Sequence, residues 1–225
     1  MEARFWHQKW EQGEIGFHQS EVNPWLQAHL SSLNLPSGAR VFLPLCGKTL
    51  DIAWLLAQGN RVVGVELSEL AIQALFEHLA LRPQIVRRDN LIHYSAQNIE
   101  IFVGDIFALT TEHLGAVDAV YDRAALVAMP PATRPLYAAQ TSAISQGAPQ
   151  LLVTYEYDQS LRAGPPFSVG ATEIAQIFGS AYDLLPLAHS PVTNSQFKSA
   201  AEVVWHLQAK GGGFTLDGKE GHLSI

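Results

Sequence analysis

The sequence has one cysteine, Cys46, in 225 residues, so no intrachain disulfide is available and a reducing compartment is compatible with the chain. Basic charge is also scarce. Lys and Arg number 14 against 21 Asp and Glu, for a net charge of −7. That balance and a pI of about 5.7 disfavour a surface that tracks nucleic-acid phosphates. No apolar run approaches the roughly 18 to 20 residues that span a bilayer. The opening stretch MEARFWHQKWEQGE has mixed charges and lacks the continuous apolar core of a secretion signal. The expectation is a cytoplasmic, monomeric protein that handles a small molecule. Nine histidines are scattered singly, with no H-x-x-x-H or C-x-x-C pairing, so no metal site is expected.

What remains is a globular composition, 48% hydrophobic and 16% charged, with enough length for one large domain. Residues 40–66 carry the most information. Arg40 to Leu45 is an apolar strand, Gly47 permits a tight turn, and an amphipathic stretch to Gln58 has Ile52, Leu55 and Leu56 on one face. Gly59-Asn60 ends that helix, and Arg61 to Glu66 forms a second strand. Glu66 then stands about 20 residues after the turn, where an open α/β sheet holds ribose hydroxyls. The alternative for Glu66 is to cap the next helix, Glu69 to Leu79, which Ser68 also opens.

Further strand ends deliver more polar groups. A β excursion around Leu91 to Tyr94 leads into a strand at Ile99 to Val103, which stops at Gly104-Asp105-Ile106-Phe107. Asp105 there can accept from an exocyclic amine while Ile106 packs on a flat ring, or Asp105 can serve a plain Asx turn. Val117 to Tyr121 is a fourth strand with Asp122-Arg123 at its end. Arg123 is open to an ion pair with Asp122 or a neighbouring carboxylate, to a functional role, or to both.

A helix is expected from Ala132 to Ser145, a strand from Gln150 to Tyr157, and a helix capped by Thr172 that ends at Phe178-Gly179. Tyr182 to His189 and Glu202 to Ala209 would pair as an antiparallel edge hairpin. The predicted architecture is a Rossmann-like α/β fold. It has a mostly parallel sheet of about seven strands, an antiparallel C-terminal hairpin, and helices on both faces. One domain spans 1–210, and the glycine-rich tail 211–225 is expected to be disordered. In the leading segment, about 1–35, Trp6 and Trp10 lie four apart and would share a helix face. A helix over Pro24 to Ser32 follows. This segment either docks on the core or forms a lid over a cleft.

The turn after the first strand, L-P-L-C-G-K-T-L, lacks two glycines of G-x-G-x-x-G, which disfavours a dinucleotide pyrophosphate. S-adenosylmethionine has no phosphate and tolerates such a turn. Six ordered motifs then coincide: W-x-x-x-W-x-x-G-x-x-x-F-H-Q from Trp6, V-F-x-P-L-C-G-K from Val41, V-V-G-V-E-x-S-E-L from Val62, D-I-F from Asp105, D-R-x-A-L-V-A from Asp122 and G-P-P-F from Gly164. On these the chain resembles the thiopurine S-methyltransferase family, with its nearest likeness to the bacterial members.

The resemblance implies the class I S-adenosylmethionine-dependent methyltransferase fold and methyl transfer to the sulfur of thiopurine-like or other aromatic and heterocyclic thiols. It extends to selenium and tellurium compounds and tellurite resistance. It implies roles too: Trp10 as a lid over the cofactor, Leu45 as the turn contact, Glu66 as the ribose acceptor, and Asp105 and Ile106 at the adenine. Arg123 would be the cation between cofactor and substrate, and Phe17 would pack on the acceptor ring. Ala124 stands where other members carry glycine. A different class, a module that binds S-adenosylmethionine as a sensor without transferring its methyl, lacks any need for the acceptor-side Phe17 and Arg123.

Overall fold

The apolar runs between polar turns fold into strands buried on both faces, and their order in the sheet creates the crevice. The computed structural model describes residues 3–192 and 200–211. In chain order the elements are α1 (Ala3–Glu11), α2 (Pro24–His29), β1 (Arg40–Pro44), α3 (Leu50–Ala57), β2 (Arg61–Glu66), α4 (Glu69–His78), β3 (Gln84–Arg88), β4 (Leu91–Ala96), β5 (Ile99–Val103), α5 (Thr111–Leu114), β6 (Ala119–Arg123), α6 (Arg134–Ile144), β7 (Gln150–Glu156), α7 (Ala171–Phe178), β8 (Tyr182–Pro191) and β9 (Ala201–Ala209).

One nine-stranded sheet has the order β3-β4-β5-β2-β1-β6-β7-β9-β8. The strands β5-β2-β1-β6-β7 pair in parallel, with β1 in register from Arg40↔Arg61 to Pro44↔Val65 against β2. The chain moves outward from β1 through β2 to β5 and then returns to place β6 on the other side of β1. That reversal opens a crevice beyond the carboxyl ends of β1 and β6.

Alternate side chains feed two cores. Phe42, Val63, Phe102 and Val120 face one cluster with Tyr137 of α6 and Ile174 and Phe178 of α7. Val41, Leu43, Val62 and Ile101 face the other with Leu26 of α2, Ile52 and Leu55 of α3 and Ile72 of α4. Helices therefore cover both faces, which a parallel sheet of such apolar strands requires. Gly64, mid-strand in β2, is needed for clearance: a Cβ there would sit 2.9 Å from both Cys46 Sγ and Ile101 Cδ1. Among the described residues no helix is long and apolar enough to cross a membrane.

Several sequence expectations need correction. The sheet has nine strands rather than about seven, because Gln84–Arg88 pairs with Leu91–Ala96 as an antiparallel hairpin beside β5. Every residue of β3 is exposed at the sheet edge, so its sequence QIVRR carries no burial alternation to read. Antiparallel pairing thus flanks the parallel centre on both sides. The helix after Asn23 turns into a tighter 3-10 segment at Leu30–Leu33 instead of continuing to Ser32. Gly170, not Thr172, holds the N-cap position of α7. Strand β6 begins and ends two residues later than predicted, which draws Asp122 into the buried strand and makes Arg123 its last residue. The tail expected to be disordered lies, beyond Gly211, outside the described residues.

Asp122 is 1% exposed and accepts from Tyr137 Oη at 2.6 Å and from the Leu126 N–H at 3.1 Å. Burial, opposed by these donors, pushes its carboxyl up to about 6 from 3.8. The folded state therefore holds this proton at pH values where the unfolded chain has lost it. Stability from this group is greatest below about 4 and falls as pH rises to about 6. Urea unfolding across that window should show a component on the order of 2–3 kcal/mol in the native protein that is missing from Asp122→Asn.

Candidate active site

A cavity of about 1050 Å³ lies at the carboxyl ends of β1, β2, β5 and β6. The structure places Leu45, Glu66, Asp105 and Ile106 on its wall, and Trp10, Phe17 and Arg123 on the same wall. Each arrives from a different segment. Leu45 follows β1 with a φ of 48°, a left-handed conformation that a leucine adopts only under tertiary constraint. Ala124, directly after β6, has a φ of 62°. Glycine favours that backbone, and here alanine carries it. Two strained residues thus end neighbouring strands at the crevice.

Glu66 terminates β2 and is 6% exposed. Its Oε2 accepts the Gly47 N–H at 2.8 Å and its Oε1 accepts the Ser68 N–H at 2.8 Å. One carboxylate thereby ties the turn after β1 to the start of α4, so both sequence alternatives for Glu66, crevice group and cap, coexist. Burial pushes its carboxyl above the ordinary value, while the donors from Ser68 and Gly47 pull it down. Asp105 is exposed and forms an Asx turn by accepting the Phe107 N–H at 3.0 Å. Ile106 beside it is 5% exposed and packs in the core. Cys46 is buried, and burial followed by the Glu66 charge raises its thiol well above the usual range, so it packs in the turn as a protonated group.

The aromatic side is built on Phe17. Trp10 and Trp6 each meet its ring edge to face, with centroids at 5.3 and 5.6 Å. Trp10 also lies against Gly47, where a Cβ would come within 3.1 Å of the indole. α1 contains no buried residue; it meets the body where Trp10 lies against Gly47 and where it packs beside α4, while the Lys9–Glu14 pair is local to the leading segment.

Arg123 faces Asp51, not Asp122. Its Nε donates to Asp51 Oδ2 at 3.2 Å, NH1 to the Phe17 carbonyl at 3.3 Å and NH2 to Thr49 Oγ1 at 3.3 Å. Asp51, fully buried in the first turn of α3, also accepts the Asn23 N–H at 2.8 Å and the Tyr121 hydroxyl at 3.1 Å. This network joins the leading segment, α3 and β6. Opposite, Phe167 of the Gly164-Pro165-Pro166 loop donates its N–H to the Val127 carbonyl at 2.7 Å, and the Arg134 guanidinium lies over its ring at 5.4 Å.

The chain as a whole has relatives among known proteins. The thiopurine S-methyltransferase family model matches residues 1–210. The chain belongs to the thiopurine S-methyltransferase family. A thiopurine S-methyltransferase of Teredinibacter turnerae is 50% identical over 92% of this chain and 97% of its own length. One of Acinetobacter baylyi is 45% identical over 93% and 100%. Among solved structures, a Burkholderia thailandensis 1,6-didemethyltoxoflavin-N1-methyltransferase with bound S-adenosylhomocysteine superposes with a TM-score of 0.65 at 16% identity, covering 92% of this chain and 87% of that one. An S-adenosylmethionine-dependent methyltransferase of Anabaena variabilis gives 0.64 at 14% identity, over 92% and 95%. At such identity these two establish the class I methyltransferase fold. The thiopurine S-methyltransferase family is an enzyme family whose methyl donor is S-adenosylmethionine.

Sequence reasoning missed Asp51 and Thr49, the partners that fix Arg123. Along the chain Asp51 occupies the first turn of an amphipathic helix, the ordinary place for an acid. A polar residue on the same helical face as Ile52 and Leu55 was the one available signal. Because Arg123 is 12% exposed in its side chain, deleting its counter-charge should be costly. Asp51→Ala is expected to lose roughly 3 kcal/mol or more in urea unfolding, and Asp51→Asn less, since the amide still accepts. A loss below about 1 kcal/mol in both would mean that solvent replaces Asp51 at Arg123.

Proposed function

We propose that the protein transfers the methyl of S-adenosylmethionine to the sulfur of thiopurine-like or other aromatic and heterocyclic thiols, with the cavity residues in the roles that follow. The single observation that carries this reading is the convergence of a buried strand-end carboxylate, an aromatic cover and a fixed arginine on one cavity. The residues present suit the donor. Glu66 keeps further lone pairs for ribose hydroxyls beside the two backbone donors it already accepts. Ile106 offers an apolar platform and Asp105 an acceptor for an adenine. Leu45 shapes the turn against which the donor lies.

When bound, S-adenosylmethionine supplies a methyl on a sulfonium, which the acceptor's lone pair takes as the electrons of the broken bond neutralise that sulfonium. The chain's part is placement. A soft sulfur nucleophile needs little base catalysis, whereas alignment can supply about 7–11 kcal/mol. Trp10, with Trp6 and Phe17, excludes water over the reacting atoms, and the segment 3–19 acts as the lid. Phe17 packs on the acceptor ring. Arg123, oriented by Asp51, directs its remaining N–H groups to the acceptor. The same geometry suits selenium and tellurium compounds, which are softer nucleophiles than sulfur, and so tellurite resistance in a cell. The acid balance and single cysteine accord with a monomeric, cytoplasmic enzyme of small molecules, its domain spanning 1–210.

Incubation with labelled S-adenosylmethionine and 6-mercaptopurine should yield the labelled S-methyl product. Donor binding without transfer to any member of a thiol panel would overturn the reading in favour of a sensor. Arg123→Ala and Phe17→Ala should each lower kcat/KM about ten-fold or more, and unchanged values in both would remove them from the mechanism. Glu66→Gln should weaken S-adenosylhomocysteine roughly ten- to hundred-fold by calorimetry, since its amide cannot accept as two carboxylate oxygens do. A deletion strain should lose growth on tellurite and the methylated tellurium or selenium in its headspace.

A further inference from the structure

The charges around the cavity are unequally satisfied. Lys9 is paired with Glu14, and Arg123 with Asp51. Among the acids, Glu66 accepts two backbone N–H groups, Asp105 accepts one, and Glu202 accepts the Trp25 indole N–H at 2.6 Å. Lys48 differs from all of these. It lines the same cavity and is half-buried, and among the described residues its ammonium has neither a hydrogen-bond nor an ion-pair partner. Its backbone is fixed from both sides, by the Glu66 bond to Gly47 and by Thr49, which caps α3 through its hydroxyl.

Lys48 also belongs to one end of the cavity. His18 follows Phe17 in the chain and lines the cavity with it. Burial first, then the charges of Lys48 and Arg123, with His78 behind them and Asp51 opposing, hold the His18 imidazole below its ordinary value. Lys48, His18 and Arg123 therefore share the Phe17 end, where the acceptor is placed in the reading above. There Arg123 contributes direction but little net charge, because Asp51 balances it.

We propose that Lys48 is a specificity-determining residue: its ammonium, unpaired among the described residues, gives the acceptor end a cation open to a ligand, so that acceptors are taken as anions, an ionised ring thiol or the equivalent selenolate. This rests on the methyl-transfer reading. The physical reason is mutual desolvation. A half-buried ammonium without a counter-ion has given up water without recompense, and an anionic ligand restores it at a reduced dielectric. A neutral thiol does not. The donor also carries one anion, its amino-acid carboxylate, so the two sources must be separated experimentally.

Equilibrium binding separates them without turnover. Native protein, Lys48→Gln and Lys48→Arg would each be titrated with S-adenosylhomocysteine. In its presence they would then be titrated with 6-mercaptopurine above that thiol's own pKa, and with neutral 6-(methylthio)purine. Lys48→Gln is expected to weaken the ionised thiol about ten-fold or more and to leave the other two ligands within about two-fold, while Lys48→Arg recovers most of the loss. An equal loss for S-adenosylhomocysteine would assign Lys48 to the donor carboxylate and overturn the proposal. So would equal losses for ionised and neutral purines, no loss at all, or a native protein that binds the ionised form no better than the neutral one. Absence of methyl transfer by the native protein defeats the methyl-transfer reading instead, and is seen in a different assay.

Discussion

The contact between Asp51 and Arg123 is the constraint on which the Phe17 end of the cavity depends. A carboxylate with no solvent exposure is costly unless every oxygen is used, and here the Asn23 N–H, the Tyr121 hydroxyl and Arg123 Nε use them. The three donors come from the entry to α2 and from two positions of β6, Tyr121 and Arg123, which lie two residues apart on the same face of the strand. Satisfying one buried charge thus fixes the leading segment to the sheet. Arg123 in turn reaches the Phe17 carbonyl, so the aromatic cover is positioned by the same pair.

Glu66 performs the matching task at the carboxyl end of β2, by fixing two backbone segments instead of a cation. Its partners are N–H groups at the turn after β1 and at the first turn of α4, where negative charge is favoured by the helix terminus. The turn it holds is strained at Leu45, and the end of β6 is strained at Ala124. Strain of this kind persists only where surrounding bonds over-determine the backbone. The hydrogen bonds of Glu66, Asp51 and Asp122 surround both positions, and the crevice lies between them.

The two sides differ in how much motion they allow. β1, β2 and β6 are buried on both faces, while α1 buries none of its residues and meets the body beside α4 and through Trp10 at Gly47. Local opening therefore costs less at α1, which lines the cavity, than in these central strands. A rigid strand-end wall and a loosely held aromatic segment on one cavity fit the proposed admission of two ligands followed by exclusion of water.

The sequence by itself determined the β1-turn-α3-β2 unit, the parallel centre, the strand-end positions of Glu66 and Asp105, and the family. It could do so because these features are local: apolar runs with no polar alternation, a glycine where the backbone turns, and motifs a few residues long. It also brought Trp10, Phe17, Leu45 and Arg123 into view through those motifs. Only the tertiary structure decided what Arg123 pairs with, because Asp51 and Asp122 are equally plausible carboxylates along the chain and only packing sends one to Tyr137 and the other to Arg123. The hairpin at β3 was hidden because an exposed edge strand needs no burial pattern. That Lys48 has no partner among the described residues was hidden for a related reason: whether an ammonium has a partner is settled by which side chains fold around it, and no spacing in the sequence records that.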